Sequence, residues 1–297
     1  MDELMIIGPV VTDIVSYVKT LPRGNEEMQV EDYEQRIGGM GYHTALMMSL
    51  FRFPYELLSD CGSGVYGTAA YDACVQEGLE VKQNNPGIAG CTYHIVDPEG
   101  NYQYYCVPGT EYDFDPDIMQ EIDPKQFSAI ALCGDMFCGE GADDLMEMLR
   151  EVELPLYFQC GMRIDEAGEA ALSSLYALNP VLLLNEADAL FLIGKEEGID
   201  TAAEKLHART QAPVIILKNG EGAYYYDGSE SYIAPFAEHA ESEIYFAAFL
   251  AARTAGVDYK NALVFAGGCM TLDETEESLQ RQREQLAAMI MQKQAYV

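Results

Sequence analysis

Tryptophan is missing from this 297-residue chain, and histidine occurs four times, at positions 43, 94, 207 and 239. With no HExxH pattern and no Cys/His cluster, a zinc centre is not expected. Basic residues are scarce: 17 Lys and Arg stand against 49 Asp and Glu, a formal charge of −32. Nucleic acid and an anionic membrane both need a basic surface, so neither is expected as a partner. A phosphate-bearing ligand stays open if backbone N–H groups or a bound cation hold it locally. The acidity also reads more simply, as a charge that keeps the chain soluble.

No apolar run approaches the roughly 18 residues that a membrane span requires. The N-terminus MDELMIIGPVV has no basic region and fits a first β-strand better than a signal peptide. No CxxC pair occurs among Cys61, Cys74, Cys91, Cys106, Cys133, Cys138, Cys160 and Cys269. Such scattered cysteines do not suggest a disulfide framework, and a reduced, cytoplasmic protein is the expectation. Cys133 and Cys138, the nearest pair, read as strand-end or buried thiols. Apolar residues make up 49% of the chain, too many for a disordered acidic tail and enough for a substantial core.

What is present is an α/β rhythm. Residues 4–10 read as a buried strand, 12–19 and 27–36 as further strands, and 37–41 as a glycine turn leading into a helix. Residues 89–97 and 101–107 read as a hairpin about Pro98-Glu99-Gly100. Together with 12–36, residues 89–107 are expected to form a small sheet outside the main body. From residue 127 strands and helices alternate regularly, which implies a mostly parallel sheet covered on both faces. Residues 222–236 read as a hairpin and the last fifty or so as helices. No internal repeat or low-complexity linker interrupts the chain.

The order and spacing of several motifs resemble the ribokinase or PfkB-type family of carbohydrate and nucleoside kinases. IIGPVVTDIV is similar to the family's first strand and its substrate-contacting aspartate, here Asp13. LPRGNE resembles the segment entering the lid, and IGGMGYHTA the GGxGxN-A motif. GSGVYG, VDPEGNYQYY, LLLNEADALFLIG, VIILKNGEGAYYYDG and EIYFAAFLAARTAGVDYKNALVFAGG follow in the family's order. The resemblance implies a three-layer, ribokinase-like sandwich over residues 1–297 with an inserted β-sheet lid, and a homodimer through that lid. It also implies transfer of the γ-phosphoryl of ATP, with Mg2+, to a hydroxymethyl of a sugar, polyol or nucleoside. In the family an aspartate in a GAGD loop is the base, and the loop's N–H groups hold the transferring phosphoryl.

The chain departs from that pattern where phosphate should sit. Ala240-Glu241-Ser242-Glu243 stands in place of GAGD, so both glycines are gone, and Glu243 occupies the base position. His43 replaces the sugar-contacting asparagine, Asp188 shortens the acid of NxxE while Asn185 remains, and Gly267 stands where the nucleotide side carries asparagine. Arg163 is retained. The resemblance therefore gives Asp13, Gly38, Gly39, Gly41, His43 and Arg163 as acceptor-side candidates and Asn185, Asp188, Gly220 and Gly267 as nucleotide-side candidates.

Local chemistry offers a second reading for most of them. Asp13 reads equally as a turn cap, the glycines as turn geometry, and His43 as a satisfied first-turn residue. Asn185 and Asp188 read as a helix cap, and Glu243 as an acid favoured by the helix dipole. The sequence points first to an acceptor-binding protein with ATP phosphotransfer lost or strongly impaired. A divergent active kinase using Glu243 and a non-catalytic structural or regulatory dimer stand as alternatives.

Overall fold

The computed structural model describes residues 3–81, 85–194, 197–218, 220–236, 242–270 and 276–294. The body is built on β1 (Glu3–Ile7), β4 (Tyr55–Leu58), β7 (Phe127–Cys133), β8 (Leu156–Gln159), β9 (Val181–Asn185), β10 (Val214–Lys218), β11 (Gly222–Tyr226) and β12 (Ser231–Ala234). In space these strands run β12-β11-β10-β9-β8-β7-β1-β4. The six from β10 to β4 are parallel, and β11 and β12 close one edge antiparallel. Central parallel strands are covered on both faces, so they read as unbroken apolar runs. Leu4, Met5, Ile6 and Ile7 accordingly have no exposed surface.

Helices cover both faces. On one, α1 (Met40–Leu50), α7 (Ser242–Thr254) and α8 (Tyr259–Cys269) pack together. Helix α7 is buried on every side from Tyr245 to Ala252, and its alternation of bulky and small residues lets neighbours approach closely. The other face carries α3 (Ala142–Val152), α4 (Gly168–Tyr176), α5 (Glu186–Ile193) and α6 (Ile199–Thr210), and right-handed crossovers between successive parallel strands require this side. Helices α2 (Gly64–Gln76) and α9 (Glu276–Gln294) complete the chain. Among the described residues no helix is long and apolar enough to cross a membrane.

The lid is a separate four-stranded sheet: β3 (Val30–Gly38), β2 (Val11–Val18), β5 (Cys91–Val96) and β6 (Tyr102–Val107), in that spatial order. The two sequence segments expected to supply it do so. Strands β2 and β5 pair parallel, with each hairpin antiparallel outside them. The buried carboxylate of Glu111 accepts from the backbone N–H groups of Gly90 (2.8 Å) and Gly109 (3.0 Å), tying together the two ends of the β5–β6 hairpin. One boundary differs from the sequence reading. The expected glycine turn at 37–41 is mostly ordered structure, because β3 continues to Gly38 and α1 begins at Met40. Only Gly39, at φ +92°, makes the corner.

Candidate functional site

One face of the lid carries a polar row. Strand register places Arg36, Asp13, Thr92 and Cys106 side by side across β3, β2, β5 and β6. Side chains alternate faces along a strand, so His94 and Tyr104, two residues further on, share that face. Asp13 is buried, and its Oδ1 accepts from the Thr92 hydroxyl. His94 Nε2 lies 3.5 Å from the same oxygen and 3.3 Å from Thr92 Oγ1. Asp13 Oδ2 faces Arg36 Nε at 3.9 Å. The His94 ring meets Tyr104 edge-on at 4.5 Å.

The glycines bring this row to the body. A Cβ at Gly38 would collide with the Asp13 carboxylate, and one at Gly39 or Gly41 with the backbone of Pro9 or Gly8. Their close approach is thus to the chain itself: the start of α1 is pressed against the β1–β2 link, and Gly41 N–H donates to Pro9 O at 3.1 Å. Two residues later His43 reaches α7, where its Nε2 is 3.4 Å from Glu243 Oε2. Burial raises the Tyr104 hydroxyl above its ordinary pKa, and the negative charges of both Asp13 and Glu243 add to this. Both carboxylates therefore act on one lid phenol.

Arg163 is held in an ion pair. Its guanidinium forks onto Glu166, with Nε to Oε1 at 3.1 Å and Nη2 to Oε2 at 2.7 Å. The same group lies 5.1 Å over the Tyr112 ring and reaches Cys138 O at 3.4 Å. Beneath it the buried Asp135 accepts from the N–H groups of Met162 (3.1 Å) and Arg163 (2.6 Å). Burial pushes the Asp135 carboxyl up, and those two donors pull it partly back.

The nucleotide-side candidates are committed to internal contacts. Asn185 caps α5, its Oδ1 accepting from Asp188 N–H at 2.8 Å. Enclosure lifts Asp188 to about 6, opposed by a hydrogen bond from the Asn185 backbone. This reciprocal pair is a capping box, with Asp in place of Glu. Gly220 makes the β10–β11 corner at φ +76°. Gly267 gives α8 room against Phe236, whose Cβ would lie 3.1 Å from an added Cβ. Lys218, nearby in β10, pairs with Glu221 at 2.8 Å. Ala240 and Glu241 lie outside the described residues. Among the described residues no three His, Cys, Asp or Glu side chains gather as a metal site. Among the described nucleotide-side residues, Asn185 and Asp188 are engaged in a helix cap and Lys218 in an ion pair.

A sequence profile described as pfkB family carbohydrate kinase matches residues 1–285. The chain belongs to the PfkB family. A curated protein of Escherichia coli (strain K12), "Uncharacterized sugar kinase YegV", is 22% identical over 240 residues, covering 78% of this chain and 74% of that protein. A Burkholderia thailandensis nucleoside kinase solved with inosine superposes with a TM-score of 0.75 at 18% identity, over 98% of this chain and 96% of that one. Arabidopsis thaliana ribokinase, solved with ribose and ATP, gives 0.74 at 16%, over 97% and 98%. These likenesses establish the ribokinase-like fold.

Within this PfkB-family chain the motifs led to Asp13, which bonds Thr92, to His43 and Glu243, which pair with each other, and to Arg163, which pairs with Glu166. They did not lead to Thr92, His94, Tyr104 or Asp135. The available signal for the first two was polar residues at alternate positions of an otherwise apolar strand, CTYHIV.

Proposed function

We propose that this chain binds a small polyhydroxylated molecule, a sugar, polyol or nucleoside, beneath its lid, with ATP-dependent phosphotransfer lost or strongly impaired. The observation that carries this reading is the contrast between the two halves of the site. On the acceptor side a buried carboxylate, Asp13, is oriented by Thr92 and His94 as a hydroxyl-accepting group. On the nucleotide side Asn185, Asp188 and Gly267 serve caps and packing. Relatives of the same fold have been solved with ribose and ATP, or with inosine, which supports those ligand classes here. The eight free thiols fit a reducing compartment such as the cytoplasm.

Titration calorimetry with ATP, with and without magnesium, tests the reading, alongside coupled measurement of ADP release over a sugar and nucleoside panel. Ligand binding without turnover is expected, and saturable, magnesium-dependent ADP release would overturn it.

A second reading, an active divergent kinase with Glu243 as base, is favoured by one contact: Glu243 stands on the first turn of α7 and pairs with His43. Magnesium would then have to offset the local acidity. A homodimer through the lid fits the exposed β3 edge, where Tyr33 is 70% exposed, and is compatible with either reading.

A further inference from the structure

We infer that Glu111 is the latch of the lid: its carboxylate holds the β5–β6 stem to the body, and its release lets the lid swing on the β2–β3 stem. The inference goes beyond the binding reading above and does not depend on it.

Two stems join the lid sheet to the body. The first is the start of β2 with the end of β3. It is backbone packed on backbone, with Gly41 N–H donating to Pro9 O at 3.1 Å. The second is the start of β5 with the end of β6. There Gly90 and Gly109 lie so close that a Cβ on either would overlap the chain of the other. One side chain bridges them: Glu111, 1% exposed, accepts from Gly90 N–H on Oε2 (2.8 Å) and from Gly109 N–H on Oε1 (3.0 Å). Just outside the two glycines the chain is fixed again. Ala89 N–H donates to Ser63 O at 3.0 Å and Thr110 N–H to Ile88 O at 3.3 Å. Motion of this stem is therefore confined to the glycines that Glu111 spans, residues with wide backbone freedom.

Glu111 itself belongs to the body. Its one-turn helix, Thr110–Tyr112, leads to Phe114, whose N–H donates to Glu140 O at 2.9 Å, while Asp113 Oδ1 accepts from Glu140 N–H at 2.8 Å. A Cβ at Gly139 would collide with Tyr112 O, so that loop closes tightly on the turn. Tyr112 lies buried beneath the Arg163 guanidinium and meets the lid, its hydroxyl 3.7 Å from Cys106 Sγ of β6. A sheet held at two stems cannot tilt. With one freed, the other becomes a hinge. A carboxylate lets go by rotating about its own side-chain bonds, whereas the first stem has no such joint, so the Glu111 stem is the one that opens.

The test compares the full chain with Glu111→Gln, without ligand. Glutamine keeps the size and one acceptor but turns an amide donor toward the second N–H. Amide exchange over residues 88–92 and 107–111 should rise about tenfold or more, the loss of a hydrogen bond at a charged acceptor. Alkylation of Cys106 by iodoacetamide, read by peptide mass spectrometry, should rise with it as the thiol parts from Tyr112. Exchange in β1 and β7 and alkylation of the buried Cys133 should stay within about twofold. Glu111→Asp, one methylene short of spanning both glycines, should act in the same direction and answers for the glutamine variant should that fail to fold. Unchanged stem exchange, or a rise shared equally by β1 and β7, overturns the inference. Faster stem exchange with Cys106 still protected also overturns it, since the lid would then not have moved. Failure of both variants to fold assigns Glu111 to the core and overturns it as well.

Discussion

Gly38 lies against the carboxylate of Asp13, so close that a Cβ at position 38 would overlap Oδ2. Backbone pairing of Val11 with Gly38 and of Asp13 with Arg36 fixes the two together. Gly38→Ala must therefore either move the strand or turn Asp13 away from Thr92. Overpacking of this kind costs about 1–3 kcal/mol. Melting followed with and without a bound sugar should show a modest drop for the free protein and loss of the ligand-induced rise.

Glu243 separates the two functional readings. Under the proposed function, Glu243→Ala leaves ADP release at background, as in the unmodified chain. If Glu243 is a base, its removal should lower a measurable turnover by about 100-fold or more. A continuous coupled assay at saturating ATP and magnesium reads the difference.

Asp188 predicts a pH dependence of stability. Its folded pKa of about 6 lies above the ordinary 3.8. The unfolded chain therefore ionises first, and the group's contribution to stability is full below pH 3.8 and lost as pH rises through 6. Asp188→Asn removes this penalty while leaving the backbone N–H that Asn185 caps. The variant should gain on the order of 2 kcal/mol at pH 8 and clearly less at pH 5. Urea unfolding at the two pH values checks it, and a constant difference would count against the enclosure described.

Arg163 should prove a brace. Arg163→Lys loses the fork onto Glu166 and the broad contact with Tyr112. Since Glu166 is about half exposed, the expected destabilisation is only about 1–2 kcal/mol. Ligand affinity should stay within about twofold. A tenfold loss of affinity at unchanged stability would return Arg163 to the acceptor side.

The lid edge predicts assembly. Tyr33 on β3 and Tyr105 on β6 are exposed, and strand alternation gives them the same outward face. Sedimentation should find a dimer that Tyr33→Glu or Tyr105→Glu weakens. A monomer at micromolar concentration in the unmodified protein would dispose of the idea.

The fold was legible because the periods are strong. The unbroken apolar runs 4–7 and 181–184 could only be central strands of a covered sheet, and the β-rich 89–107 stood apart from them. The cleft was legible only in part. Asp13 and His43 follow glycine-marked corners, which leave a trace in sequence. Thr92 and Tyr104 reach the cleft through strand register across β2, β5 and β6, and register is a property of pairing that no single segment records. For Arg163 the retained cation gave no sign of its partner in the fold. Glu166, three residues on, was the clue, since side chains at that spacing meet on one turn. At Asn185 and Asp188 the sequence offered a magnesium reading and a capping reading, and the cap is formed.

The parallel pairing of β2 with β5 has a consequence for how the molecule comes together. A strand joined edge to edge with another pointing the same way needs a long return path, and here that path runs through α1, β4 and α2. The canopy over the cleft cannot assemble as a free-standing ribbon. Its middle seam waits until a large share of the trunk is in place, so nascent chains should acquire protease resistance in both parts at once, and a transplanted canopy should remain unstructured.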